Sequence, residues 1–362
     1  MKEEDLVLDI CSAFAADVDI EASADEFSDV DWGRVVQIAS HQKILPIISH
    51  MLLSSSAYEL LTAAGVETVM FDSIAAAKVR HELLFAESAS ISRDFSNLGV
   101  RHVQRKGGSY NETFYRSLAL RTYNDMDFFV SREDLQLVRQ CLSARGYDVG
   151  FYSRKSSRVM SLSREQRLNY ILYPTHSEPF VRLNPNMLLP ALKVDIAFEM
   201  GWPLASIEAF STETLSSVLR SRTHSNEVDQ VAEMFFHFFD CVLHLYREAM
   251  FEEKAGRRAW TGVNLKKFVD VARIWRTLEN EHVSSLKRAL SGNGPLAGYV
   301  YWVAFHTDAL LGTDIVADLE LAPDGATGSR MFSWVRPGGE LRPWNGTMRD
   351  RLFSTATFRT LP

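Results

Sequence analysis

Two aspartates one residue apart, Asp125 and Asp127, stand in the stretch Asn124-Asp125-Met126-Asp127-Phe128-Phe129-Val130, an apolar run that reads as a strand. Successive side chains on a strand point to opposite faces, so the two carboxylates project together while Met126 and Phe128 point the other way. Holding two carboxylates side by side is costly without a cation between them, and hard oxygen ligands suit Mg²⁺. Upstream, a strand ending at Lys106 runs into Gly107-Gly108 and then a short helix. A glycine turn lets backbone N–H groups approach a phosphate closely. Turn, acid pair and metal together describe a site for phosphoryl transfer.

The elements that must position these residues begin at Gly99, where strands and helices start to alternate. Val100 to Gln104 is a first strand and Asp125 to Val130 a second. Ser131 with Asp134 has the form of a capping box, opening a helix through Leu135, Val138 and Leu142 to Arg145, with Gly146 as its stop. Asp148 to Tyr152 is a third strand. Further on, Leu192, Val194, Ile196 and Phe198 alternate with Lys193, Asp195, Ala197 and Glu199, the mark of a half-buried strand, which Trp202-Pro203 ends. Its polar face carries Lys193, Asp195 and Glu199, and the alternation does not choose between the two acids. Helix and strand alternation on one small sheet gives an α+β fold.

Between these strands, five basic residues (Arg154, Lys155, Arg158, Arg164, Arg167) face one acid, Glu165. The run reads either as a loop that meets triphosphate or an acidic acceptor, or as a solvated connection. Arg154, Lys155 and Arg158 are expected to be exposed. Tyr173 to Pro179 and Asn184-Pro185-Asn186 are turn-rich.

Lys2 to about Leu98 reads as helices: one through Leu6, Val7, Ile10, Cys11 and Phe14, one starting at Asp31-Trp32, a break at Pro46, then helices over Leu61 to Met70 and Ser73 to Asn97. After the core, Val228 to Tyr246 and Asn264 to Leu278 are helical. His237, Cys241 and His244 share a face of the first, with Asp240 beside them. Such side chains can ligate a transition metal, but the surrounding phenylalanines favour a packed face. From Thr313, the turn signals Pro323-Asp324-Gly325, Pro337-Gly338-Gly339 and Asn345-Gly346 suggest a small β appendage or a tail laid over the helices.

Composition narrows the partners. A chain of 362 residues, 46% hydrophobic and 23% charged, has core enough for two or three globular domains. Its net charge of -7 argues against a long nucleic-acid groove, which needs surplus Lys and Arg, and favours a small-molecule or peptide acceptor. Three scattered cysteines argue against a disulfide framework and for a reducing compartment. The opening MKEEDLVLDI has neither a basic region nor a long apolar core, and no run is apolar enough to span a bilayer. No signal peptide is read, and a cytoplasmic location is expected. Asn111-Glu112-Thr113 and Asn345-Gly346-Thr347 match a glycosylation pattern that has no meaning without secretion.

The stretch from Lys106 to Val130 resembles the core of the nucleotidyltransferases of the DNA polymerase β superfamily, which carry a Gly-Gly or Gly-Ser turn followed by an Asp-x-Asp strand. It looks most like an uncharacterised bacterial branch with a Lys-Gly turn (Lys106-Gly107), an Arg shortly before the acids (Arg121) and the acids inside an apolar strand. The resemblance covers roughly Ala75 to Trp202, and the helices over Trp32 to Leu52 and Asn264 to Leu278 resemble the flanks of the same branch. It implies a small mixed-sheet nucleotidyltransferase core at 99–203, and the residue patterns divide the rest into an N-terminal helical region at 1–98, a C-terminal helical region at 204–312 and the turn-rich tail or β appendage at 313–362.

The resemblance also selects Asp195 as third carboxylate. Asp125, Asp127 and Asp195 then hold Mg²⁺, two ions in the superfamily's mechanism, and Asp195 could receive the acceptor's proton. Lys106, Gly107, Gly108 and Arg121 bind the nucleotide. The implied activity moves an NMP from an NTP, ATP by default, to a small-molecule or peptide acceptor with release of pyrophosphate. Two alternatives are nucleotidylation of a protein target and a non-catalytic nucleotide-binding scaffold. The scaffold is kept in view by a gap between the glycines and Asp125 that is longer than in the commonest superfamily pattern.

Overall fold

A computed structural model describes residues 3–20, 27–172, 175–200, 230–250, 263–323, 325–335, 340–344 and 346–353. The chain opens with α1 (Glu3–Ala16), α2 (Trp32–His41), α3 (Leu45–Leu53), α4 (Tyr58–Ala63) and the 31-residue α5 (Glu67–Asn97). The sheet region follows: β1 (His102–Arg105), α6 (Gly107–Thr113), β2 (Met126–Val130), α7 (Leu135–Ala144), β3 (Asp148–Val149), β4 (Phe151–Ser153), β5 (Arg158–Met160), α8 (Arg164–Leu172), β6 (Phe180–Leu183) and β7 (Ala191–Ala197). Then come α9 (Gln230–Met250), α10 (Leu265–Arg276), α11 (Asn280–Ser291), α12 (Gly294–Leu311), α13 (Ile315–Asp318), α14 (Gly325–Arg330), β8 (Ser333–Val335), β9 (Leu341–Pro343) and α15 (Met348–Phe353). The fold is α+β, and no helix among the described residues is long and apolar enough to cross a membrane. The strand expected to run to Trp202-Pro203 stops at Ala197, and the 203/204 boundary and the Pro337-Gly338-Gly339 turn lie outside the described residues.

The chain forms two compact units, Met1–Ala75 with Phe238–Pro362, and Ala76–His237. In the first, α1 packs against α2, α3, α10 and α12. The apolar residues expected on one face of α1, Leu6, Val7, Ile10, Cys11 and Phe14, are all buried. One buried amide joins distant segments: Gln42 donates to the Leu352 carbonyl and accepts from the Leu265 N–H, both at 2.7 Å. Arg273 of α10 is ion-paired to Asp17, donates to the Phe14 carbonyl at 2.9 Å and lies over the Phe14 ring. On α12, His306 is buried edge-on to Trp302, and its Nε2 donates to the Met331 carbonyl at 3.0 Å. Burial pushes its pKa down to about 4.

In the second unit a five-stranded sheet has the order β1-β2-β7-β6-β3. The central pair, β2 and β7, is parallel and the other pairings are antiparallel, so the sheet is mixed. Met126, Phe128 and Val130 of β2 with Val194 and Ile196 of β7 form one apolar face. It packs on Leu84, Ile91 and Phe95 of α5 and on Val138, Cys141 and Leu142 of α7. Glu87 of α5 locks this layer, accepting from Arg145 (3.1 Å), Arg182 (3.0 Å) and Tyr147 (3.0 Å).

Several local expectations are corrected. The helix expected over Leu61 to Met70 breaks at Gly65, whose φ of 71° suits the left-handed stop of α4, and α5 then runs unbroken from Glu67. The break expected at Pro46 is present: α2 ends at His41 and Pro46 sits in the first turn of α3, which its fixed φ and missing N–H suit. The Ser131 capping box does not form: the Asp134 carboxylate takes the Arg101 N–H and side chain, Ser131 Oγ takes Arg101 Nη2, and the chain enters α7 through a 3-10 turn. The strand expected from Asp148 to Tyr152 splits at Gly150 into β3, on the main sheet, and β4, which pairs with β5. A Cβ on Gly150 would stand 2.3 Å from the Met160 carbonyl oxygen, so the close approach of the hairpin requires glycine.

Asn111 of the first glycosylation pattern is fully buried, its amide paired on both sides with the Arg121 backbone, so no sugar could be attached. The packed reading of the α9 stripe holds for its described partners. His237 is buried edge-on to Tyr110 and Phe114, and His244 faces Glu248 at 3.2 Å. Cys11, Cys141 and Cys241 are free and buried.

Candidate metal and nucleotide site

The polar face of the sheet is built by register. β1 pairs Arg105 with Asp127, and β2 pairs Asp127 with Asp195, so these three residues form one row across three strands. Residues directly opposite in a sheet share a face, and the row therefore alternates cation, acid, acid. One step along, Asp125 precedes β2 and Lys193 precedes Asp195 by two on β7. An oxygen from each of Asp125, Asp127 and Asp195 lies within 4.8 Å of the others, the only such cluster of possible metal ligands among the described residues. The Lys193 ammonium stands 2.5 Å from Asp195 Oδ2 and 3.5 Å from Asp125 Oδ2. Glu199, the other acid expected on this polar face, lies two residues past the end of β7 and pairs with Arg132 at 3.4 Å.

This crowding leaves an electrostatic signature. Burial, then the neighbouring Asp125 and Asp195 charges, push the Asp127 carboxyl up to about 7 against the opposing pull of Lys106 and Arg105. Burial raises Asp195 as well, with Lys193 resisting. For Lys193, burial works against the charge, but Asp195 and Asp125 outweigh it and hold the ammonium's pKa above its usual value. A divalent ion at these oxygens would offset both the burial and the mutual repulsion of the carboxylates. The donor set fits a hard divalent ion: Mg²⁺ takes carboxylate oxygens, and three of them converge here within 4.8 Å of one another.

The glycine turn is tighter than a loop. Gly107 and Gly108 form the buried first turn of α6, where a Cβ on Gly107 would meet the Tyr123 ring at 3.0 Å and one on Gly108 would meet Phe85 at 3.0 Å. Tyr123 is held by His81 at 3.0 Å, and His81 by Glu112 at 2.8 Å. Lys106, at the head of the turn, has φ 42° and ψ −145°, a region that is nearly glycine's alone. Its charge acts on Asp127. Lys106→Gly is therefore expected to stabilise the fold by about 1 kcal/mol, the strain relieved less glycine's entropic cost, while weakening nucleotide binding. Urea unfolding checks the first effect, and a lower midpoint for the variant would remove the strain from the account.

Of the residues selected from sequence, the structure brings Asp125, Asp127, Asp195 and Lys106 together and sets Gly107 and Gly108 directly behind Lys106. Arg121 is buried, its guanidinium 5.0 Å from the Tyr110 ring centre, and it is not part of the row of charges. Sequence reasoning missed three neighbours. Arg105 is buried opposite Asp127, Lys193 touches two of the acids, and Tyr170 of α8 has its phenol pKa raised by burial and by the Asp195 charge. A signal existed for Lys193, which shares the i, i+2 face of Asp195; none existed for Arg105 without the register.

Arg154, Lys155 and Arg158 are exposed, on the hairpin formed by β4 and β5 just ahead of α8. α8 itself buries no residue and leaves Leu168, Ile171 and Leu172 in solvent. Comparison with curated proteins and with solved structures returns no match. Residues 28–291, most of the chain, match a family described as uncharacterised nucleotidyltransferase, and the protein belongs to that family.

Proposed function

We propose that the acid cluster is the centre of a nucleotidyltransferase of the DNA polymerase β superfamily type, which moves an NMP from an NTP, ATP by default, to an acceptor hydroxyl and releases pyrophosphate. The observation that carries this reading is the row that sets Asp127 beside Asp195 with Asp125 in reach, in a chain of a nucleotidyltransferase family. Asp125, Asp127 and Asp195 would hold Mg²⁺, two ions when the nucleotide is present, supplying Lewis acidity to the attacking and departing oxygens. In this scheme the acceptor oxygen bonds to the α-phosphorus as the bond to the bridging oxygen of the β-phosphate breaks, and Asp195 takes the acceptor's proton. Lys106 and the N–H groups of Gly107 and Gly108 meet the β and γ phosphates, where negative charge grows as pyrophosphate departs. Arg105, fixed opposite Asp127, holds the charge balance of the row.

The acceptor is read first as a small molecule or peptide. A protein target is favoured by one feature, the solvent-facing apolar side of α8 next to a basic hairpin, with Tyr170 of the same helix in electrostatic reach of Asp195. Purified protein incubated with cell extract, Mg²⁺ and ATP labelled at the α-phosphate, followed by size separation, tests the reading and sorts the two acceptors. Label should enter an acceptor from the α-phosphate and not from the γ-phosphate, and EDTA should abolish it. Transfer of γ label instead would replace nucleotidyl transfer by kinase chemistry.

A further inference from the structure

Lys193 occupies a position that the proposed reaction leaves without a role. Two residues before Asp195 on the same strand, it projects onto the acids' face, and its ammonium bridges Asp195 at 2.5 Å and Asp125 at 3.5 Å. These are two of the three carboxylates that a divalent ion would need. A metal bound to those oxygens and an ammonium resting on them would place like charges within a few ångströms, so the two compete for the same side of the cluster.

Lys106 at the head of the glycine turn acts on Asp127, and the two cations carried by the sheet, Arg105 and Lys193, differ in freedom. Arg105 is buried, whereas the Lys193 side chain is 39% exposed on a flexible four-carbon stem, a point charge that can swing without breaking the sheet. A charge balance completes the case. Three carboxylates already face Lys193, Arg105 and Lys106, so adding divalent cations makes Lys193, which rests on two of the acids, surplus there, and adding a triphosphate supplies new oxygens for it to meet.

We propose that Lys193 is the built-in counter-cation of the acid cluster: it bridges Asp125 and Asp195 while the site is empty, and moves from the carboxylates to phosphate oxygens when metal arrives with nucleotide. The consequence is a coupling of the two ligands. The empty site holds metal weakly, because metal must displace Lys193, and the displaced ammonium then contributes to nucleotide affinity. This inference rests on the metal-dependent reading above and adds a residue and a binding order to it.

The test measures binding, with Mn²⁺ as probe, by loss of the free-ion electron paramagnetic resonance signal. Without nucleotide, Lys193→Met should bind Mn²⁺ tighter than wild type by about tenfold or more, the least expected on removing a unit charge near a divalent ion in a half-exposed site. At saturating Mn²⁺ it should bind a non-hydrolysable α,β-methylene ATP about tenfold more weakly, the scale for one charge-assisted contact. Lys193→Arg, which keeps the charge, should stay near wild type in Mn²⁺ binding. Should Lys193→Met not fold, Lys193→Gln gives the same comparison while keeping a hydrogen bond to Asp195.

Equal or weaker Mn²⁺ binding by the neutral variants would overturn the proposal and make Lys193 an ordinary ion-pair partner. Asp127→Asn separates the two levels of the argument. If it lowers wild-type Mn²⁺ affinity, the metal site stands whatever Lys193 does, and if neither it nor Lys193→Met changes Mn²⁺ binding, the metal reading itself fails.

Discussion

Asp127→Asn is expected to reduce nucleotidyl transfer by more than about a hundredfold, the scale of losing one preorganised electrostatic element, while the protein folds as well as wild type or better. The two halves of this expectation have one cause. Burial and the charges of Asp125 and Asp195 lift the Asp127 carboxyl to about 7, far above an unfolded value of about 3.9. A carboxyl with a raised folded pKa is easier to ionise in the unfolded chain, so its charge costs stability that grows as pH rises from about 4 towards 7 and stays lost above that. Asparagine has the same shape and removes that cost. Thermal melts at pH 8 with EDTA should therefore put the variant at or above wild type, and the α-label assay should find it inactive. Asp125→Asn should lose activity to the same degree. Near-normal turnover in either would sink the assignment of these acids.

The second large effect is on stability and lies far from the acids in sequence. His306 keeps a folded pKa of about 4 against an ordinary value of 6.5 because burial against Trp302 outweighs the hydrogen bond to the Met331 carbonyl, which favours the charged ring. Above pH 6.5 both folded and unfolded chains hold it neutral and nothing is lost. As pH falls from 6.5 towards 4 the unfolded chain takes up a proton that the folded one refuses, so stability drops by about 3 kcal/mol across that window, at roughly 1.4 kcal/mol per pH unit. Urea unfolding of wild type and His306→Gln at pH 7.5 and 4.5 should find the gap between them narrowing by nearly this amount. A gap independent of pH would show that His306 is not the group responsible.

Local patterns carried the acids. The alternation of Met126, Phe128 and Val130 with Asp125 and Asp127, and of Leu192, Val194 and Ile196 with Lys193 and Asp195, has a period of two that survives in any strand with one face on a core. Apolar periodicity likewise marked α1 and α9. What could not be read is everything set by pairing between distant segments. No local pattern says that Arg105 lies opposite Asp127, that Gln42 reaches both Leu265 and Leu352, or that residues near the two ends of the chain share a compact unit. Competing local chemistry explains other misses: Asp134 satisfies Arg101 in place of a helix cap, and Gly65 and Gly150 interrupt runs whose apolar pattern would have carried on.

The parallel pairing of β2 with β7 also sets the order in which the cluster comes into being during synthesis. β2 leaves the ribosome early with Asp125 and Asp127, and β1 can pair with it at once as an antiparallel neighbour, but the third carboxylate arrives only after α7, both strands of the β4–β5 hairpin, α8 and β6 have been made. A growing or prematurely released chain thus displays the acid pair without its third member and without Lys193. The cluster is complete only in a chain that has been translated past β7.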